Sequence, residues 1–207
     1  ALVKAGLLIT LEGIGGVGKS TQLKFISSEI ALKGFRTLIT REPGGTKLGE
    51  AVRKILLNSA DLSILPDTEL LLMFAARSQH IEEVIKPALT KGTIVICDRF
   101  TDASYAYQGG GRGLSLESIK ILEQWVQKKL TPDVTFLFDA TIRTGMKRVA
   151  NRGASDRFES EELSFFNRVR QNYLDRAKYE PDRIKLIDAE QDITGVQRQI
   201  LTILNAI

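Results

Sequence analysis

The amino-acid sequence predicts an α/β protein, a parallel sheet of five strands with helices on both of its faces. Five short apolar runs, typical of buried strands, alternate with longer segments of helical periodicity along the 207 residues. A glycine-rich segment directly follows the first run, at the turn where an open α/β sheet usually builds a ligand site. The composition, 43% apolar and 26% charged, is ordinary for a globular protein. We expect one domain over residues 1–207.

The individual elements follow from this alternation. The apolar runs predict strands at 7–11, 37–40, 93–97, 134–138 and 184–187. The segments between them predict helices near 19–33, 47–58, 67–90, 115–130, 142–152, 161–178 and 192–206. Three connections have the position and composition of functional loops, at 41–46, 99–113 and 152–159.

The segment after the first strand matches the phosphate-binding pattern G-x-x-x-x-G-K-[ST], or P-loop. We expect ATP to contact Gly13, Ile14, Gly15, Gly16, Val17, Gly18, Lys19, Ser20 and Thr21. Glycines let backbone N–H groups close around phosphate oxygens, and the helix N-terminus adds a favourable dipole. Lys19 can reach the β- and γ-phosphates as a catalytic group, and Ser20 can ligate Mg²⁺.

A second pair of candidate residues lies at the end of the third predicted strand. Asp98 follows an apolar run, an arrangement that places a carboxylate beside the P-loop to hold Mg²⁺ or its water shell. Arg99 would then point into the same cleft and could clamp a second phosphate through two hydrogen bonds. The alternative is a surface ion pair that caps the strand.

Composition and the remaining motifs narrow the class of protein. The segment 138–141 lacks the guanine-reading N-K-x-D pattern, and several arginines lie away from the P-loop, as two phosphorylated ligands would require. A net charge of +4 is too small to indicate nucleic acid, and no apolar run approaches the length of a membrane span. The single cysteine, Cys97, is compatible with a reducing, cytoplasmic compartment.

Four more segments resemble motifs of the thymidylate kinase family. Residues 40–46 resemble its R-E-P-G-G-T loop, and residues 74–80 resemble its F-A-A-x-R-x-x-H helix. Residues 98–109 resemble the D-R-[YF]-x-x-[SA]-S-x-A-Y-Q-G signature, and residues 156–159 resemble D-R-[FIL]-E. The motifs occur in the family's order, and the resemblance extends from residue 7 to about residue 188.

The resemblance implies the P-loop kinase fold, with a short lid over the ATP phosphates at about 143–159. It implies phosphoryl transfer from ATP to dTMP, giving ADP and dTDP for dTTP synthesis, with Mg²⁺ as cofactor and a homodimer as the assembly. One alternative is a P-loop kinase for another nucleoside monophosphate or nucleoside. The other is a nucleotide sensor or a nucleic-acid-binding ATPase.

Site residues also follow from the resemblance. Arg99 and Arg53 match contacts to the dTMP phosphate. Arg77 resembles the arginine that reaches the base and phosphate, and Ser104 and Gln108 can hydrogen-bond the thymine edge. Tyr107 is similar to a tyrosine that crowds the sugar 2′-position, with aromatic packing as the alternative.

The chain departs from the family pattern at positions that affect these assignments. Gly15 stands where the family usually has an acid that helps to hold the sugar hydroxyl, which leaves Glu42 as a candidate for that contact. Met73 stands where the family usually has the aromatic residue that stacks on thymine, and Phe74 follows it. A helix places both near Arg77, so that either can cover the base.

Gly16 determines where a catalytic arginine can lie. One branch of the family carries this arginine at the position of Gly16, and in the other branch the lid supplies it. Glycine carries no charge, so the resemblance implies the lid branch. Arg148 and Arg152 are four residues apart on one helix face and are the candidates. A basic surface helix is the alternative.

Overall fold

The computed structural model describes residues 6–58, 62–151 and 156–206. Five parallel strands form one sheet in the order β2-β3-β1-β4-β5. The strands are β1 (Leu8–Glu12), β2 (Thr37–Arg41), β3 (Ile94–Asp98), β4 (Val134–Asp139) and β5 (Ile184–Asp188). The predicted α/β fold with a five-stranded parallel sheet is confirmed.

Helices connect successive strands, as parallel pairing requires. They are α1 (Lys19–Leu32), α2 (Lys47–Asn58), α3 (Pro66–His80), α4 (Lys86–Thr90), α5 (Thr101–Ser104), α6 (Leu116–Gln127), α7 (Ile142–Ala150), α8 (Leu163–Tyr179) and α9 (Ile193–Leu204). Within the described ranges, none of these helices is long and apolar enough to cross a membrane.

Side chains that alternate along the strands build a core on each face of the sheet. Ile9 and Ile96 belong to the larger cluster, which also contains buried residues of α1, α8 and α9. Leu8 and Val95 point to the opposite face, where they pack with Ile81 and neighbouring residues of the helical segment before β3. Because successive strand residues face opposite sides, this alternation covers both faces with helices.

Two helical segments differ from the sequence prediction. The predicted helix 67–90 is three pieces, because a π-helical turn (Ile81–Ile85) separates α3 from α4. Pro87, at the start of α4, cannot donate the next helical hydrogen bond, and a wider turn before it avoids the clash of its ring with a carbonyl. The predicted loop 99–113 is mostly helical, since α5 continues into a π-helical segment (Tyr105–Gly111).

Candidate active site

The P-loop connects β1 to α1 at the carboxyl edge of the sheet. Gly13, Gly16 and Gly18 have positive φ angles of 133°, 77° and 91°, conformations that side chains other than glycine rarely adopt. The Nζ atom of Lys19, the first residue of α1, donates to the carbonyls of Gly13 at 3.0 Å and of Ile14 at 2.8 Å. The lysine therefore lies across the loop whose backbone would surround a phosphate.

Helix α7, the first helix of the predicted lid region, packs backbone against backbone on this loop. A Cβ atom built on Gly16 would lie 2.2 Å from the carbonyl oxygen of Gly145, far inside van der Waals contact. A Cβ atom built on Gly145 would lie 2.7 Å from the carbonyl oxygen of Gly15. The close approach of the P-loop backbone to the α7 backbone therefore requires glycine at both position 16 and position 145.

A cavity opens beside the P-loop, and we call it the arginine-lined cavity. It brings together nine residues that the sequence predicted, namely Gly15, Glu42, Arg53, Met73, Arg77, Arg99, Ser104, Tyr107 and Gln108. The end of the predicted lid region also lines the cavity, through Asp156, Phe158 and Glu159, as does Phe166 of α8. Sequence reasoning assigned no role to these four.

Arg99 joins the P-loop to this cavity. Its φ of 67° is left-handed, and its backbone N–H donates to the carbonyl of Leu11 at 3.0 Å. The guanidinium donates to the carbonyl of Gly13 at 2.9 Å and to the hydroxyl of Tyr107 at 3.1 Å. The arginine is thereby fixed at the boundary between the two predicted phosphate sites, with Tyr107 held against it.

Glu12 is a buried acid beneath Arg99 that sequence reasoning missed. Its carboxylate accepts hydrogen bonds from the backbone N–H of Phe100 and from the Tyr173 hydroxyl, each at 2.7 Å. Burial, and then the charge of Asp102, raise the pKa of Glu12 to about 7. An acid at the end of an apolar strand, just before the first P-loop glycine, is the signal that could have revealed it.

Arg77 of α3 is buried in a network of fixed partners. It donates to the carboxylate of Glu42 at 2.6 Å and to the hydroxyl of Ser104 at 3.1 Å. The other oxygen of Glu42 lies 2.9 Å from Nδ1 of His80, whose Nε2 lies 2.6 Å from the Thr40 hydroxyl. Glu42 lines the cavity and holds Arg77 in place.

The structure distinguishes between Met73 and Phe74. Met73 lines the arginine-lined cavity, whereas Phe74 packs with Leu70 and Tyr105 in a separate buried cluster. The Phe74 ring lies 4.5 Å from the guanidinium carbon of Arg77 and supports it from behind. Of the two alternatives for covering the base, Met73 is therefore the one that lines the cavity, and its contact with the substrate stays a prediction.

A match to a family model decides between the remaining kinds of P-loop protein. The model described as thymidylate kinase matches residues 11–200. The chain belongs to the thymidylate kinase family.

Individual thymidylate kinases resemble the chain over nearly its whole length. The enzyme of Pseudomonas savastanoi pv. phaseolicola is 53% identical over 199 residues, which cover 96% of this chain and 95% of the relative. That of Vesicomyosocius okutanii is 54% identical over 206 residues, covering 99% of this chain and 100% of the relative. The crystal structure of thymidylate kinase from Ehrlichia chaffeensis is 34% identical, with a TM-score of 0.77 and coverage of 97% and 99%.

The predicted lid arginines of this thymidylate kinase lie on or after α7. Arg148 does not line the arginine-lined cavity and donates to the carbonyl of Ala189 at 3.1 Å. There it lines a second cavity with Gly18, Thr21 and the segment 189–196, which we call the α1–α9 cavity. Arg152 lies outside the described residues.

Asp98 and Ser20, the predicted metal ligands, have a chemistry that suits a Mg²⁺ ion. The Oδ1 atom of Asp98 is buried and has no hydrogen-bond partner among the described residues. A buried carboxylate oxygen without a donor is a suitable ligand for a cation or its bound water. Ser20 is the second residue of α1, directly after Lys19. These residues fit a Mg²⁺ site that is completed by phosphate oxygens.

Proposed function

We propose that the arginine-lined cavity binds dTMP and that the P-loop presents the γ-phosphoryl group of ATP to it, giving dTDP and ADP. The observation that carries this assignment is the position of Arg99, which bonds the P-loop at Gly13 and also lines the cavity. A residue at that boundary can hold an acceptor phosphate in line with the transferring group. The single domain of residues 1–207 would contain the whole site.

The phosphate of dTMP is assigned to two arginines. Arg99 contributes a fixed, half-buried guanidinium, and Arg53 of α2 is oriented by a 2.9 Å hydrogen bond to the carbonyl of Pro43. Both line the same cavity, and planar guanidinium groups suit bidentate phosphate contacts. No proton needs to be removed from a phosphate acceptor, so that positioning and charge neutralisation carry the catalysis.

The thymine base is assigned to the opposite end of the cavity. Arg77 supplies donors, Ser104 and Gln108 supply the other polar contacts, and Met73 covers a face of the ring. Tyr107 lies between base and phosphate sites, where its ring would crowd a ribose 2′-hydroxyl. Glu42 acts chiefly through Arg77, because that guanidinium already engages one of its carboxylate oxygens.

ATP is assigned to the P-loop, with its nucleoside in the adjoining α1–α9 cavity. Lys19 stabilises charge between the β- and γ-phosphates. Ser20 and Asp98 would hold Mg²⁺, which offsets phosphate charge when it is bound.

The transferring phosphoryl group requires a further positive charge, which we assign to the lid. An arginine at position 16 would collide with Gly145 of α7, and this supports the lid branch of the family. Arg148 and Arg152 remain the candidates. Because Arg148 already bonds Ala189 beside the α1–α9 cavity, Arg152 is the stronger of the two as the catalytic arginine.

The assembly is assigned as a homodimer in the cytoplasm, without nucleic-acid or membrane partners. Large apolar side chains are exposed on α3 and α6, namely Leu71, Leu116, Ile121 and Trp125. Large apolar side chains exposed on two helices that pack against each other are typical of a protein interface. Sedimentation equilibrium should give twice the chain mass, and Trp125→Lys should shift it towards the monomer.

ADP release with ATP and Mg²⁺, measured across dTMP, dUMP, dCMP, dAMP and dGMP, tests the function. We expect kcat/KM to fall in that order. Loss of the 5-methyl group should cost roughly 10–200-fold, and cytosine should be rejected more strongly because it leaves polar groups unpaired. Purines should be negligible acceptors. A best rate with dCMP or a purine nucleotide would refute the acceptor assignment and leave a P-loop kinase.

A further inference from the structure

Glu69 of α3 is a fully buried carboxylate with three partner residues from two other segments. One oxygen accepts from Nε2 of Gln108 at 2.8 Å. The other accepts from the guanidinium of Arg157, near the end of the predicted lid region, at 2.5 Å. Arg112 donates to both oxygens at 3.2 Å. Glu69 thus lies outside the arginine-lined cavity but holds one of the residues that line it.

The chemistry of Glu69 fixes the orientation of the Gln108 side chain. A carboxylate flanked by two guanidinium groups only accepts hydrogen bonds, so the end of the Gln108 amide that faces it must be the N–H₂ end. Within the described ranges, the hydrogen bond of the Gln108 side chain is the one that its N–H₂ group donates to Glu69, and the carbonyl end, Oε1, is not used in it. Since Gln108 lines the arginine-lined cavity, that acceptor is left for a ligand.

We infer that Glu69 is a positioning residue that determines specificity. It holds Gln108 with its carbonyl oxygen towards the base, and this orientation selects pyrimidines that carry a hydrogen on N3. The inference rests on the proposed binding of dTMP in this cavity. Thymine and uracil both present N3–H, a donor that matches Oε1. Cytosine presents a lone pair at N3, so that two acceptors would face each other without a proton between them.

Arg112 and Arg157 explain why the orientation of the Gln108 amide is fixed. Without Glu69, the amide of Gln108 could rotate by half a turn and offer N–H₂ to cytosine at little cost. With Arg112 and Arg157 supplying its other hydrogen bonds, Glu69 offers no donor that would reward the rotated amide. The same ion pairs compensate the buried charge, which allows an acid at a position that is otherwise unfavourable.

Glu69→Gln tests the inference, because a neutral amide can both donate and accept and so permits either orientation of Gln108. We expect the ratio of kcat/KM for dTMP over dCMP to fall by at least about tenfold. The ratio of dTMP over dUMP should stay within about twofold, since both bases carry N3–H. An equal loss with all three acceptors would mean a merely structural role and would overturn the inference.

Two further variants keep the test decisive if Glu69→Gln folds poorly. Glu69→Asp keeps the charge for both arginines but withdraws the carboxylate from Gln108, and it should lose the same discrimination. Arg112→Gln is the matched control, which disturbs the ion pairs and leaves Gln108 bonded, and it should change all acceptors by one factor. Selective loss of discrimination in Arg112→Gln but not in Glu69→Asp would refute the inference.

The outcomes also separate this inference from the proposed function. A wild-type protein that prefers dCMP or a purine nucleotide would overturn both. A wild-type protein that prefers dTMP, with an unchanged dTMP-to-dCMP ratio in both Glu69 variants, would overturn only the role of Glu69.

Discussion

The buried acid Glu12 should make the stability of the fold decrease as pH rises above 5. Its pKa is raised from 4.5 to about 7 by burial and then by Asp102, while Arg99 and two hydrogen bonds oppose the change. A group with a higher pKa in the folded chain contributes its full stabilisation below its unfolded pKa. That contribution is lost as pH rises through the folded pKa, because the unfolded chain releases the proton more readily.

The size of the effect follows from the two pKa values. The difference between 4.5 and about 7 corresponds to about 3 kcal/mol in full, at about 1.4 kcal/mol for each pH unit. Between pH 5 and 8.5 the wild type should lose about 2.5 kcal/mol of unfolding free energy through this group. Glu12→Gln, which is neutral and of similar shape, should match the wild type near pH 5 and exceed it by that amount at pH 8.5.

Urea denaturation followed by circular dichroism, at pH 5, 6, 7 and 8.5, measures this difference. Glu190→Gln is the control, because hydrogen bonds lower the pKa of this exposed acid, with that from the Thr141 N–H the largest. Its difference from wild type should stay constant over the same range. If the free-energy difference between wild type and Glu12→Gln varies by less than about 0.5 kcal/mol, the account of Glu12 is wrong.

Three other perturbations test the site. Lys19→Ala should fold but lose at least about 10²-fold in kcat for ADP release, and near wild-type turnover would refute phosphoryl transfer at the P-loop. Arg152→Ala should lower kcat by about 10³-fold or more, with a smaller change in KM for dTMP. Arg148→Ala should act mainly on KM for ATP. If kcat stays within about threefold of wild type in both single variants and in the double variant, the lid model is excluded. Met73→Ala should raise KM for dTMP, whereas Phe74→Ala should lower the free energy of unfolding by about 3–5 kcal/mol. The reverse pattern would contradict the placement of Met73 in the cavity and of Phe74 in the core.

The strands were predictable almost to the residue, and the difference at their carboxyl ends has one cause. The apolar runs end one residue before each strand does, because every strand finishes on a charged residue at the carboxyl edge of the sheet. These residues are Glu12, Arg41, Asp98, Asp139 and Asp188. Periodicity detects burial in a core and not the hydrogen-bonded ladder, so the predicted strands end one residue early.

Other features required three-dimensional information. The spacing of apolar residues gives an average helical period, and the π-helical turns at 81–85 and 105–111 are local changes in winding that it cannot resolve. Glu69 lies in the first turn of α3, where an acid usually faces solvent, and its burial depends on Arg112 and Arg157, distant in sequence. The P-loop motif, in contrast, carries its own geometry in its glycines.

The contact between the P-loop and α7 restricts how this enzyme can evolve. An arginine introduced at position 16 would need a left-handed backbone and would meet the Gly145 carbonyl, so it costs stability unless α7 moves first. Moving α7 first would displace Arg148, on the same helix. An arginine at position 16 and the substitutions that would move α7 are therefore strongly epistatic, and each alone lowers fitness before a second one can compensate. We expect single-step variation from this sequence to retain glycine at positions 16 and 145.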